Sequence, residues 1–398
     1  MIRIIGQSMN LLLNWLSENG ISGYDPYDIK GHKVIIPLIR SGKKFYPVAM
    51  IREIVFEFFK MFPKISRKIF AIKPQINAKA MGLLARSYLD LYKNSNNPDF
   101  LVKSKECIDW LINDKSDKFG GIGWGYPFDW ESNKFIPKFT PNGIVTTAVG
   151  DAFWAWYKFS GEVKYLDLCK EICLFLENLP IDRISEDKIC FSYTPLFINH
   201  VHNLNLFVAE FLIKIGKEVD NKSWVDMGVK ATNYTLSNQR DDGSFDYNGP
   251  PENPNYYIDN YHTGFILRML YSIWKLTNNA DIYNSIEKCF NHYISDFFEE
   301  NQIPKLMPKK KYPIDIHSCA ESINCLSELS PSFPQGIEIA RNVLLWTISH
   351  LQDKKGFFYH GIHKSKILKF TFISRIPYIR WSQAWMLRAF SNYIQYAE

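Results

Sequence analysis

Three histidines, His202, His262 and His317, recur at separations of 60 and 55 residues, each heading an apolar run with helical spacing. Imidazole is the side chain whose ordinary proton exchange lies nearest neutral pH. Tyr261 precedes His262, Asn203 follows His202, and Glu321 lies one helical turn beyond His317. Brought to one cavity, such groups suit proton abstraction beside a carboxylate. At a uronic acid a base removes the proton at C5, while Asn, His or Arg neutralises the sugar carboxylate. Helix N-termini then favour the developing enolate. A lyase stops at elimination, whereas a C5-epimerase returns the proton from the opposite face, for which a His and a Tyr serve. A single histidine at a helix start is equally a satisfied structural one, so the reading depends on convergence.

Hydrolysis of a glycosidic bond needs instead two carboxyls, roughly 6.5–9.5 Å apart in an inverting enzyme. Asp129, Asp242, Asp259 and Glu321 are the available acids. Trp124, Tyr126 and Trp130 surround Asp129 between glycine-containing bends, which reads as the wall and floor of a saccharide subsite or as a loop packed under a rim. Tyr24-Asp25-Pro26-Tyr27-Asp28 forms a loop, because Pro26 cannot continue a helix at its own nitrogen. Its aspartates either engage sugar hydroxyls or cap a turn. Trp381 and Gln383 head the last apolar run in the same way. His200-x-His202 has no further ligand at metal spacing, and H-E-x-x-H, a P-loop, G-x-G-x-x-G and a serine nucleophile elbow are all absent. No metal or cofactor is therefore expected, and kinase, dehydrogenase and esterase chemistry are disfavoured.

These groups must be positioned by helices. Six apolar segments begin at Asn77, Thr146, His202, His262, His317 and Gln383, at intervals of 69, 56, 60, 55 and 66 residues. More conventional amphipathic helices are expected near 99–113, 163–178, 221–238, 281–296 and 335–352. The N-terminal helices, about 2–18 and 48–62, can supply a partner for the first or last unit. Each interval holds two helices plus loops. Inner helices apolar all round, alternating with amphipathic outer ones, describe a closed (α/α)6 toroid with short β-hairpins or loops at its rim. If the inner helices run parallel, their polar starts converge at one end.

Composition agrees: the chain of 398 residues is 46% hydrophobic and 16% aromatic, with 22 Tyr and 11 Trp. No run of 18 apolar residues exists and the N-terminus does not read as a signal peptide. Seven cysteines without metal-like pairing point to reduced thiols and a cytoplasmic setting. The net charge of +6 is uneven, since residues 40–73 hold nine basic and two acidic residues, or +7. Apolar residues are interleaved with these charges. The segment is therefore either a solvated face or a peripheral contact with anionic lipid or a lipid phosphate, and Lys364–Arg380 can belong to the same face. No nucleic-acid recognition motif accompanies the charge.

The hairpin pattern is similar to the six-hairpin toroid superfamily of glycoside hydrolases, polysaccharide lyases and sugar epimerases. Gln239-Arg-Asp-Asp-Gly-Ser-Phe and Gln352-Asp-Lys-Lys-Gly-Phe-Phe also resemble the Gln/Trp turn of terpene cyclases, a structural motif; the acid and diphosphate motifs of those enzymes are missing. Four stretches, Ser22–Asp28, Gly123–Trp130, Ile258–Phe265 and Arg380–Met386, resemble toroidal proteins encoded with bacterial and archaeal surface-polysaccharide and glycosylation genes. That resemblance implies glycan biosynthesis as the context.

The expectation is thus one toroid domain over 1–398, with 1–74 packing onto the barrel, acting on a glycan or lipid-linked oligosaccharide, anionic in character. Uronate epimerase or lyase chemistry leads, followed by glycoside hydrolysis, a non-catalytic glycan-binding subunit, and lastly a terpene cyclase. Its catalytic groups are drawn from His262, Tyr261, His202, His317, Asp129 and Glu321. Its substrate contacts come from Tyr24, Asp25, Tyr27, Asp28, Trp124, Tyr126, Trp130, Asn203, Asp242, Asp259, Trp381 and Gln383.

Overall fold

The computed structural model describes residues 2–132, 134–252, 259–300 and 302–397; Ile258, the first residue of one quoted stretch, lies outside them. Helix α1 spans Ile2–Asn19, and three helices follow it, α2 (Ile35–Gly42), α3 (Tyr46–Met61) and α4 (Pro63–Ile69). Helices α5 (Ala78–Ser95) and α6 (Pro98–Asn113) form the first hairpin. Strands β1 (Trp130–Glu131) and β2 (Phe135–Ile136) precede α7 (Gly143–Ser160) and α8 (Val163–Glu177). Strands β3 (Ile181–Ser185) and β4 (Lys188–Phe191) precede α9 (His202–Glu218) and α10 (Lys222–Leu236). Then come α11 (Asn260–Thr277), α12 (Ala280–Asp296), β5 (Ile314–Asp315), α13 (Ile316–Leu329) and α14 (Gln335–Leu351). The chain ends with β6 (Gly361–Lys364), β7 (Thr371–Ser374), a π-helical turn (Ile379–Ala384) and α15 (Trp385–Ala397). All strand pairs are antiparallel, and the third sheet has the order β5-β6-β7.

Helices α5, α7, α9, α11, α13 and α15 each pack on the next, and α15 returns to α5, so the inner ring is closed. The outer ring is α6, α8, α10, α12, α14 and α1, the last packed against α14 and α15. This is the (α/α)6 toroid, with its short strands between hairpins. Four inner helices begin with an Asn or Asp whose side chain accepts from a first-turn N–H. The pairs are Asn77 with Lys79 (3.0 Å), Asn142 with Val145 (3.0 Å), Asp259 with His262 (2.8 Å) and Asp315 with His317 (2.8 Å). Such caps satisfy otherwise orphaned donors and fix where each helix starts.

The two Gln-turn motifs fasten neighbouring outer helices. Gln239 Nε2 donates to Gly243 O and to Ser285 O of α12, both at 3.0 Å. Gln352 Nε2 donates to Gly356 O and to Ser8 O of α1, both at 2.9 Å. Gly356 (φ +102°) lies so close to α1 that a Cβ there would come within 2.1 Å of Leu11 O. The second motif thereby closes the outer ring across the ends of the chain.

The inner helices depart from the expectation of being apolar all round. Arg86, Asp151, Glu210, Lys214, Arg268, Glu328 and Arg388 project from them around a cavity of about 350 Å³ at the end of the barrel away from the helix starts. They interlock with each other and with Asp90: Arg86 meets Asp90 at 2.9 Å, Arg388 meets Asp90 at 2.7 Å, and Lys214 meets Glu210 at 2.7 Å. A ring of six helices leaves an axis too wide to fill with side chains, so the stripe facing it is charged and paired. Outside the ring, α2–α4 enclose a small apolar cluster of Ile29, Ile35, Ile39 and Phe59.

Candidate functional site

At the end where the inner helices start lies a cavity of about 90 Å³. Every inner helix reaches it from its first turn or the turn before: Lys79, Ile144, Asn203, Tyr261 and His262, His317, then Arg380 and Trp381. Loops supply Tyr27, Tyr126, Phe128, Tyr193 and Tyr247, and β1 supplies Trp130. The rings form a continuous wall, with Trp130 edge-on to Tyr193 (5.4 Å) and Trp381 edge-on to both Tyr27 and Tyr261 (5.7 Å each). No Asp or Glu is among the described residues that line it.

Carboxylates stand behind the lining instead. Asp259 is buried and accepts from His262 Nδ1 at 2.5 Å while capping the helix through the His262 N–H. That contact assigns the Nδ1–H tautomer and leaves Nε2 as the basic nitrogen. Asp25 grips Arg380 through two bonds, Nε to Oδ2 at 2.6 Å and Nη2 to Oδ1 at 2.8 Å, a bidentate geometry that fixes the guanidinium plane. Asp315 accepts from Trp381 Nε1 at 2.9 Å, and burial pushes its carboxyl up to about 6.

His317 is 2% exposed and neither ring nitrogen has a hydrogen-bond partner. It stacks on Tyr261 (4.7 Å, 16°) and stands edge-on to Trp381 (4.3 Å). Burial, with Lys79 and Arg380 nearby, holds it well below the usual imidazole range, so it is neutral. Lys79 lies over the rings of Phe265 (5.5 Å) and Trp385 (5.2 Å). Burial first, then Arg380, brings its amine down to about 7, while Glu321 works in the opposite direction. A buried imidazole with two unsatisfied nitrogens beside a readily neutralised amine is costly to build unless something else fills the cavity.

Of the sequence-derived residues, His262, Tyr261, His317, Tyr27, Tyr126, Trp130, Asn203 and Trp381 meet at this cavity, with Asp259 and Asp25 directly behind it. The others lie elsewhere. His202 turns away, stacks on Tyr234 of α10 (5.5 Å, 28°) and contacts Thr235 through Nδ1 at 3.4 Å. Trp124 is a core residue, 1% exposed, donating to Leu111 O at 3.0 Å. Asp129 accepts from the Lys138 N–H at 2.8 Å, and Asp242 caps its turn through Ser244. Asp28 is paired with Arg67 at 2.6 Å, and the same guanidinium lies 5.3 Å from the Tyr24 ring. Gln383 exchanges two bonds of 2.8 Å with the Phe358 backbone. Glu321 is fully buried deeper in the ring on Arg268 (2.6 Å), and burial pushes it up to about 7.

Lys79, Arg380, Asp315 and Tyr247 complete the site without having been singled out as site residues from sequence. Lys79, two residues past a capping Asn in an apolar run, was the available signal, as was Arg380 at the head of Arg380–Met386. Among the described residues no group of three or more His, Cys, Asp or Glu is placed to hold a metal ion.

The sequence matches no protein-family model and no curated protein. Solved structures do match. Cellobiose 2-epimerase from Bacillus thermoamylovorans aligns at a TM-score of 0.62 and 10% identity, over 80% of this chain and 87% of that one. A GH76 α-mannanase from Bacteroides thetaiotaomicron gives 0.61 and 11%, over 80% and 87%. An unsaturated glucuronyl hydrolase specific for heparin gives 0.55 and 13%, over 80% and 86%. At these identities the likeness establishes the shared toroid.

Proposed function

We propose that the protein is a carbohydrate-active enzyme that moves a proton at C5 of a uronic acid, as an epimerase or lyase. The observation that carries this reading is the character of the lining: Arg380, Lys79, two imidazoles and several phenols face the cavity, and among the described residues no carboxylate does. Arg380, held rigid by Asp25, is suited to pair bidentately with the sugar carboxylate. His262 Nε2, its ring oriented by Asp259, takes the C5 proton. Arg380 and Lys79 stabilise the charge that develops on the carboxylate as the carbanion delocalises into it. Protonation from the other face by Tyr261 returns the inverted sugar, whereas expulsion of the C4 substituent, its oxygen taking that proton instead, gives the unsaturated product. The aromatic wall stacks against sugar C–H faces.

The solved toroids support the carbohydrate-active part of this reading, since they include a sugar epimerase, an α-mannanase and an unsaturated glucuronyl hydrolase. Glycoside hydrolysis is the weaker reading, because the acids nearest the cavity are engaged by His262, Arg380 and Trp381. Incubation with uronate-containing oligosaccharides in D2O decides the matter. Deuterium at C5 of recovered sugar, or the ultraviolet absorbance of an unsaturated uronate, is the expected result. New reducing ends without either would replace the reading by hydrolysis, and binding without turnover would leave a glycan-binding subunit.

A further inference from the structure

We propose that α2–α4 and the tip of the β6–β7 hairpin form one face that docks on an anionic lipid bilayer. Helix α3 packs against β7, and Glu57 holds the hairpin through the Ser365 hydroxyl and the Lys366 N–H, so two segments 308 residues apart in sequence are one surface. The outward side of the helices is apolar: Phe45, Tyr46, Met50, Ile51, Ile54 and Ile69 are all more than half exposed. At the hairpin tip Ile367, Leu368 and Phe370 are exposed as well. Of the exposed large hydrophobic residues among those described, more than half fall between 34 and 69 or between 367 and 370. A contiguous patch of this kind marks an interaction surface.

Charge identifies the occupant. Lys44, Lys64 and Lys68 are exposed among these apolar residues. Beside them a cleft of about 720 Å³ between α3 and the hairpin is lined by Lys60, Lys310, Lys311, Lys364, Lys366 and Lys369. Its two acids, Glu53 and Glu57, are engaged by Lys366 and Ser365. A second copy of the chain would oppose this positive face with itself, which disfavours a twofold contact. Anionic headgroups match it, because lysines near such a surface are drawn to its negative potential. Apolar side chains entering the headgroup region add to that.

The cleft adjoins, through Phe56, Lys60, Pro313 and His363, a smaller cavity that shares Tyr27, Tyr261 and Trp381 with the site. Lipid phosphates would therefore lie beside the entrance to the sugar pocket. A glycan carried on a lipid phosphate is the substrate form this placement favours, a corollary that rests on the sugar reading above. The docking itself does not.

The test is co-sedimentation of the full chain with vesicles of phosphatidylglycerol and phosphatidylcholine, against phosphatidylcholine alone, without any sugar. Expected is sedimentation with the anionic vesicles only, reversed by raised salt, and reduced at least tenfold by Ile51→Ser/Ile54→Ser and by Lys364→Glu/Lys369→Glu. Circular dichroism and melting of both variants confirm that they are folded. Retention of the wild type in the supernatant, or binding unchanged by both variants, would overturn the proposal. So would concentration-dependent self-association abolished by Ile51→Ser/Ile54→Ser in a protein that ignores vesicles. Because no turnover is measured, failure here leaves the reading of the sugar site standing.

Discussion

Arg380 and Asp25, 355 positions apart in sequence, form a buried two-bond ion pair at 2.6 and 2.8 Å, and only the guanidinium half of it faces the cavity. The aspartate spends its charge on orienting the arginine, which leaves the cation as the group a ligand meets.

Breaking that pair exposes its role. Asp25→Asn leaves Arg380 buried without its counter-ion and is expected to cost about 3–5 kcal/mol of stability in urea denaturation. Arg380→Lys keeps the charge but loses the fork, so a more modest loss of stability should accompany a large rise in KM for a uronate substrate. A neutral sugar should bind that variant as it binds the wild type.

His262 is expected to carry the chemistry. His262→Gln should lower C5 deuterium exchange by roughly two to four orders of magnitude with little change in melting temperature. Asp259→Asn retains the helix cap, because Asn caps as well as Asp. It should nonetheless lose exchange, since the imidazole is no longer held in the useful tautomer.

Lys79 predicts a pH dependence. Its amine falls to about 7 in the folded chain from an ordinary 10.5, chiefly by burial. Between those values the unfolded chain binds the proton and the folded one does not, so this residue makes stability rise with pH across that window. Lys79→Met should therefore stabilise the fold below pH 7, on the order of a few kcal/mol, and make little difference above pH 10.5. Chemical denaturation across that range checks it. An anionic sugar should draw a proton onto Lys79, visible near pH 8 as a buffer-dependent heat of binding.

Two tryptophans of one loop should separate cleanly. Trp130→Ala removes a wall of the cavity and is expected to weaken saccharide binding by tenfold or more while the fold persists. Trp124→Ala empties a core site and breaks a buried hydrogen bond to Leu111, costing about 3–5 kcal/mol. Titration calorimetry and thermal melts distinguish them.

The outer helices were legible to within a residue or two because amphipathic periodicity is a local property. The start of α7 was less so. Thr146 marked it in sequence, whereas Asn142 caps it, and at Gly143 an added Cβ would come within 2.6 Å of a Leu204 methyl group. His202 and Asn203 illustrate what a repeat cannot decide. Neighbours on a helix point about 100° apart, so the rotation of α9 sends the histidine outward onto Tyr234 and the asparagine inward. The charged inner stripe and the Arg380–Asp25 clamp were hidden for a different reason. Arg86–Asp90 and Glu210–Lys214 lie one turn apart on a single helix, but Arg268 and Arg388 pair with Glu321 and Asp90 of other helices, and Arg380 pairs with Asp25 at the far end of the chain, so no window of sequence contains those partners.

Closure of the outer ring by α1 has a consequence for biosynthesis. Ser8 and Leu11 leave the ribosome well before the turn they fasten, since Gln352 follows Ser8 by 344 positions. Arg380 follows still later to meet Asp25. The ring cannot close before these later segments have been made, so the cavity takes shape only after Arg380 has joined it.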